Sequence, residues 1–291
     1  MKLGTRGSAL ALAQSRLVAQ AIGERTGQEV ELVEIVTPGD RSSAPVAQLG
    51  VGVFVSALRD ALQAKEIDLA VHSYKDLPTA PADGLAIAAV PPREDPRDAL
   101  VAREGLTLAQ LPPGSRVGTG ALRRIAQLRA LGLPIETVPI RGNVDTRLRK
   151  VSEGELDAVV LALAGLARLG RAAEATEILD PELMLPAPAQ GALAVECRVD
   201  DPDLRAALST VDAERALLAT LEAGCSAPVA GFAEVTGDGQ IHLRGAVLSP
   251  DGQIALRLSR TGTLADAATL GRLLAEDLLR AGADTVLGVQ R

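Results

Sequence analysis

Aromatic residues are scarce in this chain of 291 residues: there is no tryptophan, one tyrosine (Tyr74) and two phenylalanines (Phe54 and Phe232). The core must therefore be aliphatic, filled by Ala, Leu and Val. Cysteine is equally rare. Two cysteines, Cys197 and Cys225, do not make a disulfide framework. The two histidines, His72 and His242, are isolated, and neither cysteine lies in a C-x-x-C pair, so no metal-ligand spacing is present. Long apolar runs are missing too. The longest, Ala158 to Ala167, has ten residues, whereas a bilayer-spanning helix needs about 20. The first residues, MKLGTRGSALALAQ, lack the apolar stretch of a secretory signal. These absences lead to the expectation of a cytoplasmic protein with no metal and no membrane contact.

What is present points to a globular chain, 47% hydrophobic and 23% charged. Its length suggests two or three domains. The net charge of −7 is unevenly spread. Between Arg116 and Lys150 stand eight basic residues and only two acids, Glu136 and Asp145, so that stretch carries +6 and the remainder −13. One basic stretch in an acidic protein suggests a local anion site rather than a general polyanion surface.

Strand and helix patterns alternate through the first two thirds. KLGT reads as a strand, and Ser8 is placed to cap a helix running to about Ile22. EVELVEIV (29–36), IDLAVHS (67–73) and LAIAAV (85–90) read as strands, and FVSALRDALQAKE (54–66) as an amphipathic helix. After the proline-rich boundary PPREDPRDALV the rhythm repeats: SRVGTG, ALRRIAQLRAL, IETVPI, NVDTRLRKVSEG and LDAVVLALAG. Such alternation argues for parallel α/β sheets. An internal echo links the halves, since Gly4-Thr5-Arg6-Gly7-Ser8-Ala9-Leu10 resembles Gly118-Thr119-Gly120-Ala121-Leu122. Both stand where a strand hands over to a helix, and unpaired backbone N–H groups there favour anions. From about Ala213 the texture changes to three strand patterns with turns at 237–239 and 250–252, followed by the amphipathic stretch ADAATLGRLLAEDLLRAG. This reads as a small α+β domain with an antiparallel sheet.

Several constellations have both a functional and a plain structural reading. HSYKDLPT (72–79) sets Lys75 and Asp76 side by side at a strand end, where α/β sites form. They are either a turn with a surface ion pair or a carboxylate that stabilises a cation and moves protons. Arg123 and Arg124 are adjacent on a helix and so point about 100° apart, one toward a ligand and one along its wall. With Arg141 and Arg147 they form either a solvated basic face or a carboxylate or phosphate site. A nucleic-acid surface is the competing use, but this stretch offers no aromatic residue to stack on a base. LPAPAQGALAVECR (185–198) reads as a crossover into the first sheet, with Cys197 a small buried hydrophobe. Cys225, in LEAGCSAPVAG, is either a structural thiol or a nucleophile with no histidine near it in sequence.

Taken in order, TRGSALALAQ, VHSYKDLPT, PREDPRDALV, GTGALRR-x-AQL, RGNVDTRL, LALAGLARLG, LPAPAQGA and the GCSAP loop cover nearly the whole chain, and this ordered set resembles the hydroxymethylbilane synthase (porphobilinogen deaminase) family. The resemblance implies two α/β lobes like those of periplasmic binding proteins, with an active-site cleft between them, and a C-terminal α+β domain with a three-stranded antiparallel sheet. The expected division is 1–92 with 190–209, then 97–185, then 213–291. The implied enzyme condenses four porphobilinogen molecules, releases four ammonia and yields a linear tetrapyrrole. It works as a monomer, with the small molecule as its partner and no nucleic acid.

The resemblance also implies residue roles. Cys225 would carry a dipyrromethane cofactor through a thioether, and Asp76 would be the catalytic carboxylate. Lys75, Arg123, Arg124, Ser8, Arg147 and Asp40 would surround the cofactor, while Arg6, Arg141, Arg147, Arg168, Phe54, Gln14 and Gln190 would meet substrate. Two stretches depart from the family pattern. The loop at 47–54 carries Gln48 and Val51 where many members have lysines, so it is assigned no carboxylate-binding role. Gly120 and Ala121 replace two hydroxyl-bearing residues, leaving backbone N–H groups and the paired arginines.

Overall fold

The computed structural model describes residues 1–36, 55–198, 209–221, 227–236, 240–263 and 266–287. The chain divides into two compact units, Met1–Glu94 with Gly191–Ala207 and Asp95–Gln190 with Leu208–Arg291.

The first unit is built on a five-stranded sheet. Its strands are β1 (Lys2–Thr5), β2 (Glu31–Glu34), β3 (Leu69–Ser73), β4 (Leu85–Ala89) and β10 (Leu193–Arg198), in the order β2-β1-β3-β10-β4. Helix α1 (Ala9–Thr26) runs one turn further than the sequence pattern suggests and ends at Gly27, whose left-handed φ of 68° returns its N–H to the Gly23 carbonyl. Period-two burial assigns the faces. Leu69 and Val71 of β3 pack with Val18 of α1, while Ala70 turns to Leu58 and Leu62 of α2 (Ser56–Gln63).

The second unit holds a sheet of the same plan: β5 (Asp98–Ala102), β6 (Arg116–Thr119), β7 (Glu136–Pro139), β8 (Ala158–Ala162) and β9 (Glu177–Ile178), in the order β7-β6-β8-β5-β9. Helix α3 (Leu122–Ala130) covers one face through Leu128, against Val117 and Val160. Helix α4 (Val144–Ser152) covers the other through Leu148 and Val151, against Val159 and Leu161. The short α5 (Leu163–Arg168) follows β8. The alternation in sequence predicts parallel sheets, and both sheets are instead mixed. β10 runs antiparallel to β3 and β4, and β5 antiparallel to β8 and β9. In each sheet the reversed strand enters by a connection that is not a strand–helix–strand crossover, which is the unit that enforces parallel pairing.

The same unit contains β11 (Val229–Val235), β12 (Gln240–Leu248) and β13 (Ala255–Thr263), paired antiparallel in sequence order. One face of this sheet is covered by α6 (Ser209–Thr220) and α7 (Ala267–Arg280), with Leu217, Leu243, Leu274 and Leu278 fully buried between them. The short α8 (Ala283–Leu287) follows. Burial of each such leucine contributes about 1.5–3 kcal/mol. The other face meets α3 and the segment after β9 through Ala230, Ala246 and Leu248 against Ala126 and Leu185. The turn at Gly252 fits closely there, since a Cβ on it would lie 2.7 Å from the Ala126 carbonyl oxygen.

Candidate functional site

In the first unit the candidate residues gather at the ends of β1 and β3, which are parallel neighbours. After β3 the chain makes one 3₁₀ turn, Tyr74–Asp76. The Tyr74 amide donates to the Ala192 carbonyl (3.0 Å) and the Leu77 amide to that of Tyr74 (3.2 Å). Tyr74 and Leu77 are buried, which leaves Lys75 and Asp76 consecutive and half-buried between two anchors. Beside them Ser8 caps α1, its Oγ accepting from the Ala11 amide at 3.3 Å. Gln14, nearly two turns further along α1, is buried and donates from Nε2 to Ser73 Oγ (3.1 Å). Arg6, half-buried, lies between β1 and the cap. Arg6, Ser8, Gln14, Lys75 and Asp76 thus share one end of this sheet.

His72, isolated in sequence, has a partner in the fold. Its Nε2 lies 3.1 Å from Glu196 Oε2, and Arg59 grips the same carboxylate at 2.9–3.1 Å. Burial pushes the Glu196 carboxyl up, but its bonds to His72 and Arg59 outweigh this and hold it below its ordinary value. His72 is therefore a satisfied core residue beneath the Lys75–Asp76 turn.

In the second unit the paired arginines do not diverge. Both guanidinium groups converge on Asp98, the fully buried first residue of β5. Arg123 donates from Nη1 to Asp98 Oδ2 (2.7 Å) and the Leu185 carbonyl (2.9 Å), and from Nη2 to Asp98 Oδ1 (3.1 Å) and Gln190 Oε1 (3.0 Å). Arg124 donates from Nε and Nη2 to Asp98 Oδ1 (3.1 and 2.7 Å) and from Nη1 to the Val160 carbonyl (3.1 Å). Long side chains bend back from a helix start to reach the neighbouring strand, so the 100° separation at the backbone does not decide where the charges end. Gln190 is fully buried and donates to the Pro96 carbonyl (2.7 Å) and Asp98 Oδ1 (2.8 Å). Burial raises the Asp98 carboxyl, but two adjacent guanidinium charges prevail and hold it far below the usual carboxylate range. Asp98 was not among the sequence candidates. Its signal was an acid opening a strand otherwise fully buried.

The remaining arginines stand on separate elements. Gly142, at φ 105°, lets the chain turn from β7 into α4, which Asn143 caps through the Thr146 amide (2.8 Å). Arg147 folds back to the Gly142 carbonyl through Nε (2.8 Å). Arg141 lines a cavity of about 350 Å³ together with Arg116, Lys150 and Glu155. Arg168 ends α5 and is half-buried. Gly120 has a local cause: a Cβ there would lie 2.6 Å from the Ile140 carbonyl oxygen. Ala121, at the N-cap of α3, makes no side-chain cap. Asp40, Phe54 and Cys225, and the altered loop with Gln48 and Val51, lie outside the described residues. The flanks of the cysteine segment are placed, Leu221 and Val229 both being core residues.

The arrangement suits an anion. Two arginines against one aspartate leave an excess of one positive charge, and both arginine side chains are only 5% exposed. A buried excess charge calls for a counter-charge, which an anionic ligand can supply. Among the described residues no group of three or more His, Cys, Asp or Glu side chains is arranged to hold a metal. No helix among them is long and apolar enough to cross a membrane.

Comparison with known proteins adds independent findings. Residues 1–206 match the family model for the porphobilinogen deaminase dipyrromethane cofactor binding domain, and residues 208–280 that for the porphobilinogen deaminase C-terminal domain. The chain is 58% identical to a porphobilinogen deaminase of Nocardia farcinica, over 99% of this chain and 88% of the relative. It is 56% identical to one of Mycobacterium tuberculosis, over 97% of each. Similar solved structures include the methionine binding protein MetQ, with a TM-score of 0.45 and 14% identity over 70% of this chain and 85% of that one. A periplasmic substrate-binding protein of Coxiella burnetii has a TM-score of 0.45 and 13% identity over 70% and 88%.

Proposed function

The chain belongs to the porphobilinogen deaminase family, and from that membership we propose how its own residues share the family's reaction. The reaction condenses four porphobilinogens head to tail on a covalently held dipyrromethane, with loss of four ammonia, and one water then hydrolyses the bond to the dipyrromethane to free hydroxymethylbilane, in tetrapyrrole biosynthesis. When bound, the dipyrromethane supplies the pyrrole carbon from which the chain is extended.

Asp76 is the proposed catalytic residue. Porphobilinogen loses ammonia as its pyrrole nitrogen pushes electron density toward the aminomethyl carbon, leaving a cation on the substrate. The Asp76 carboxylate stabilises that cation. It also takes the proton released from the ring carbon after the new carbon–carbon bond forms. Lys75, Ser8, Arg123, Arg124, Arg147 and Asp40 hold cofactor carboxylates, and Cys225 anchors the cofactor through sulfur. Arg6, Arg141, Arg147 and Arg168 take substrate carboxylates, with Phe54 against a pyrrole ring and Gln14 holding the Ser73 end of the turn. Gln190 enters this scheme through Arg123, to which it is bonded. The buried excess of positive charge at Arg123 and Arg124 carries the reading, since each added pyrrole brings two carboxylates.

The chain is further read as three domains, with breaks near 92–97, 185–190 and 209–213, and as a cytoplasmic monomer. The net charge of −7 argues against nucleic acid as a partner. Intact mass tests the cofactor assignment. The protein should run heavier than its sequence by one dipyrromethane, Cys225→Ser should lack that mass, and Cys197→Ser should keep it. Retention of the mass by Cys225→Ser would remove Cys225 from its role.

A further inference from the structure

Three described non-glycine residues adopt a left-handed backbone: Lys65, Glu104 and Ala189. The first two are exposed, whereas Ala189, at φ 60°, is fully buried. A buried alanine held there costs free energy that its surroundings must offset. The stabilising contact is with a carboxylate, that of Glu214 on α6. Glu214 is itself fully buried, and its Oε2 accepts from the Ala189 amide at 2.7 Å. Its Oε1 accepts from the Ala233 amide on β11 at 2.6 Å. Along that strand edge the Gly231 amide donates to the Pro186 carbonyl (3.1 Å). Past that point the 186–190 segment is bridged to the edge by Glu214, one oxygen to each side. The next residue is Gln190, whose amide joins Pro96, Asp98 and Arg123.

We propose that Glu214 is a positioning residue for the carboxylate-binding arginines: by holding Ala189 left-handed it directs the Gln190 side chain onto Arg123 and Asp98. The proposal rests on the reading that Arg123 and Arg124 hold cofactor carboxylates. Glu214 lies on α6, which ends at Thr220, five positions before Cys225 in the sequence.

Glycine adopts positive φ without the penalty of a side chain, and this gives the test. Full-length chains produced without porphobilinogen are incubated with it, and the gain of the dipyrromethane mass is followed by intact mass, with far-UV circular dichroism and a thermal melt on each sample. Glu214→Gln places an amide N–H against one of two backbone donors and should load about tenfold more slowly, the scale of the left-handed penalty for a non-glycine residue. Adding Ala189→Gly to that variant should restore most of the rate, measured against Ala189→Gly alone. Gln190→Leu should load slowly and gain nothing from Ala189→Gly. Where Glu214→Gln fails to fold, Glu214→Asp with the same rescue replaces it. Loading of Glu214→Gln at the parent rate overturns the proposal, as does slow loading that Ala189→Gly leaves uncorrected. Arg123→Leu separates the two readings. If it loads normally the arginine assignment falls, and this proposal with it. If it loads slowly while Glu214→Gln loads normally, the role of Glu214 alone is lost.

Discussion

The two five-stranded sheets share one plan down to single residues, and then differ where the chemistry lies. In the first, the Lys2 amide donates to Asp68 Oδ2 (2.8 Å) and the Asp68 amide to the Lys2 carbonyl (2.8 Å). In the second, Arg116 and Asp157 repeat the pair at 2.7 and 3.0 Å. Gly4 and Gly118 are crowded alike, a Cβ meeting Ile67 Cδ1 at 2.3 Å in one and Leu156 Cδ1 at 2.5 Å in the other. The pairings Gly4↔Ala70 and Gly118↔Val159 align β3 with β8, so His72-Ser73-Tyr74-Lys75-Asp76 stands against Leu161-Ala162-Leu163-Ala164-Gly165. One strand end carries charges and its counterpart carries none. The buried acids differ in balance as well. Glu196 faces Arg59 and His72, whereas Asp98 is outnumbered by two arginines. The repeated features hold the sheets together, and the unrepeated ones are the candidate chemistry.

The strand-end contrast gives the largest expected effect. Asp76→Ala should lower turnover roughly 10²–10⁴-fold, the range for a lost general acid–base group. Its urea midpoint should stay near that of the parent, because the anchors Tyr74 and Leu77 remain; substantial activity in this variant would leave the two strand ends equivalent. Next comes the contrast between buried acids. Asp98→Ala strands two guanidinium groups and should cost about 3–5 kcal/mol in urea unfolding. Glu196→Ala should cost less, because the Arg59 side chain is 18% exposed and can recover water. Equal costs would erase the difference in balance.

A pH titration sharpens the same point. Asp98 and Glu196 are both held below their ordinary values in the fold, so the stability each contributes is present above the unfolded carboxyl values, about pH 4. It is lost as pH falls through the lower folded values. Asp98→Asn should therefore be less stable at neutral pH and should lose less on acidification from pH 5 to pH 3, read from urea midpoints at each pH. The smallest effect concerns the caps. Ser8→Ala should destabilise by about 1 kcal/mol and Ala121→Ser should stabilise by a similar amount. Thermal melts moving in the same direction for both would show that the two helix starts are not counterparts.

Much of this architecture could be read from the chain. The strand and helix alternation, the echo at Gly4 and Gly118, the Pro-Gly-rich crossover into β10 and the three antiparallel strands are local patterns of period and turn chemistry. The candidate residues at Arg6, Ser8, Gln14, Lys75 and Asp76 do share one sheet end. Hidden from the sequence were Asp98, which reads as one acid in a charged boundary, and Glu214, which stands in a stretch given no role. Both matter through partners far along the chain: Asp98 reaches Gln190 across 92 positions and Glu214 reaches Ala189 across 25. The mixed direction of the sheets was hidden for the same reason, since alternation fixes element type and not the direction from which a strand enters.

Sequence alone determined the alternation of strands and helices in the first two thirds, the three C-terminal strands, the aliphatic core and the family, because periodicity, turn residues and ordered motifs are properties of neighbours along the chain. Only tertiary structure decided where the charges end. Arg123 and Arg124 leave the helix in different directions and meet at one aspartate, because their side chains are long enough to follow a buried carboxylate wherever the fold places it.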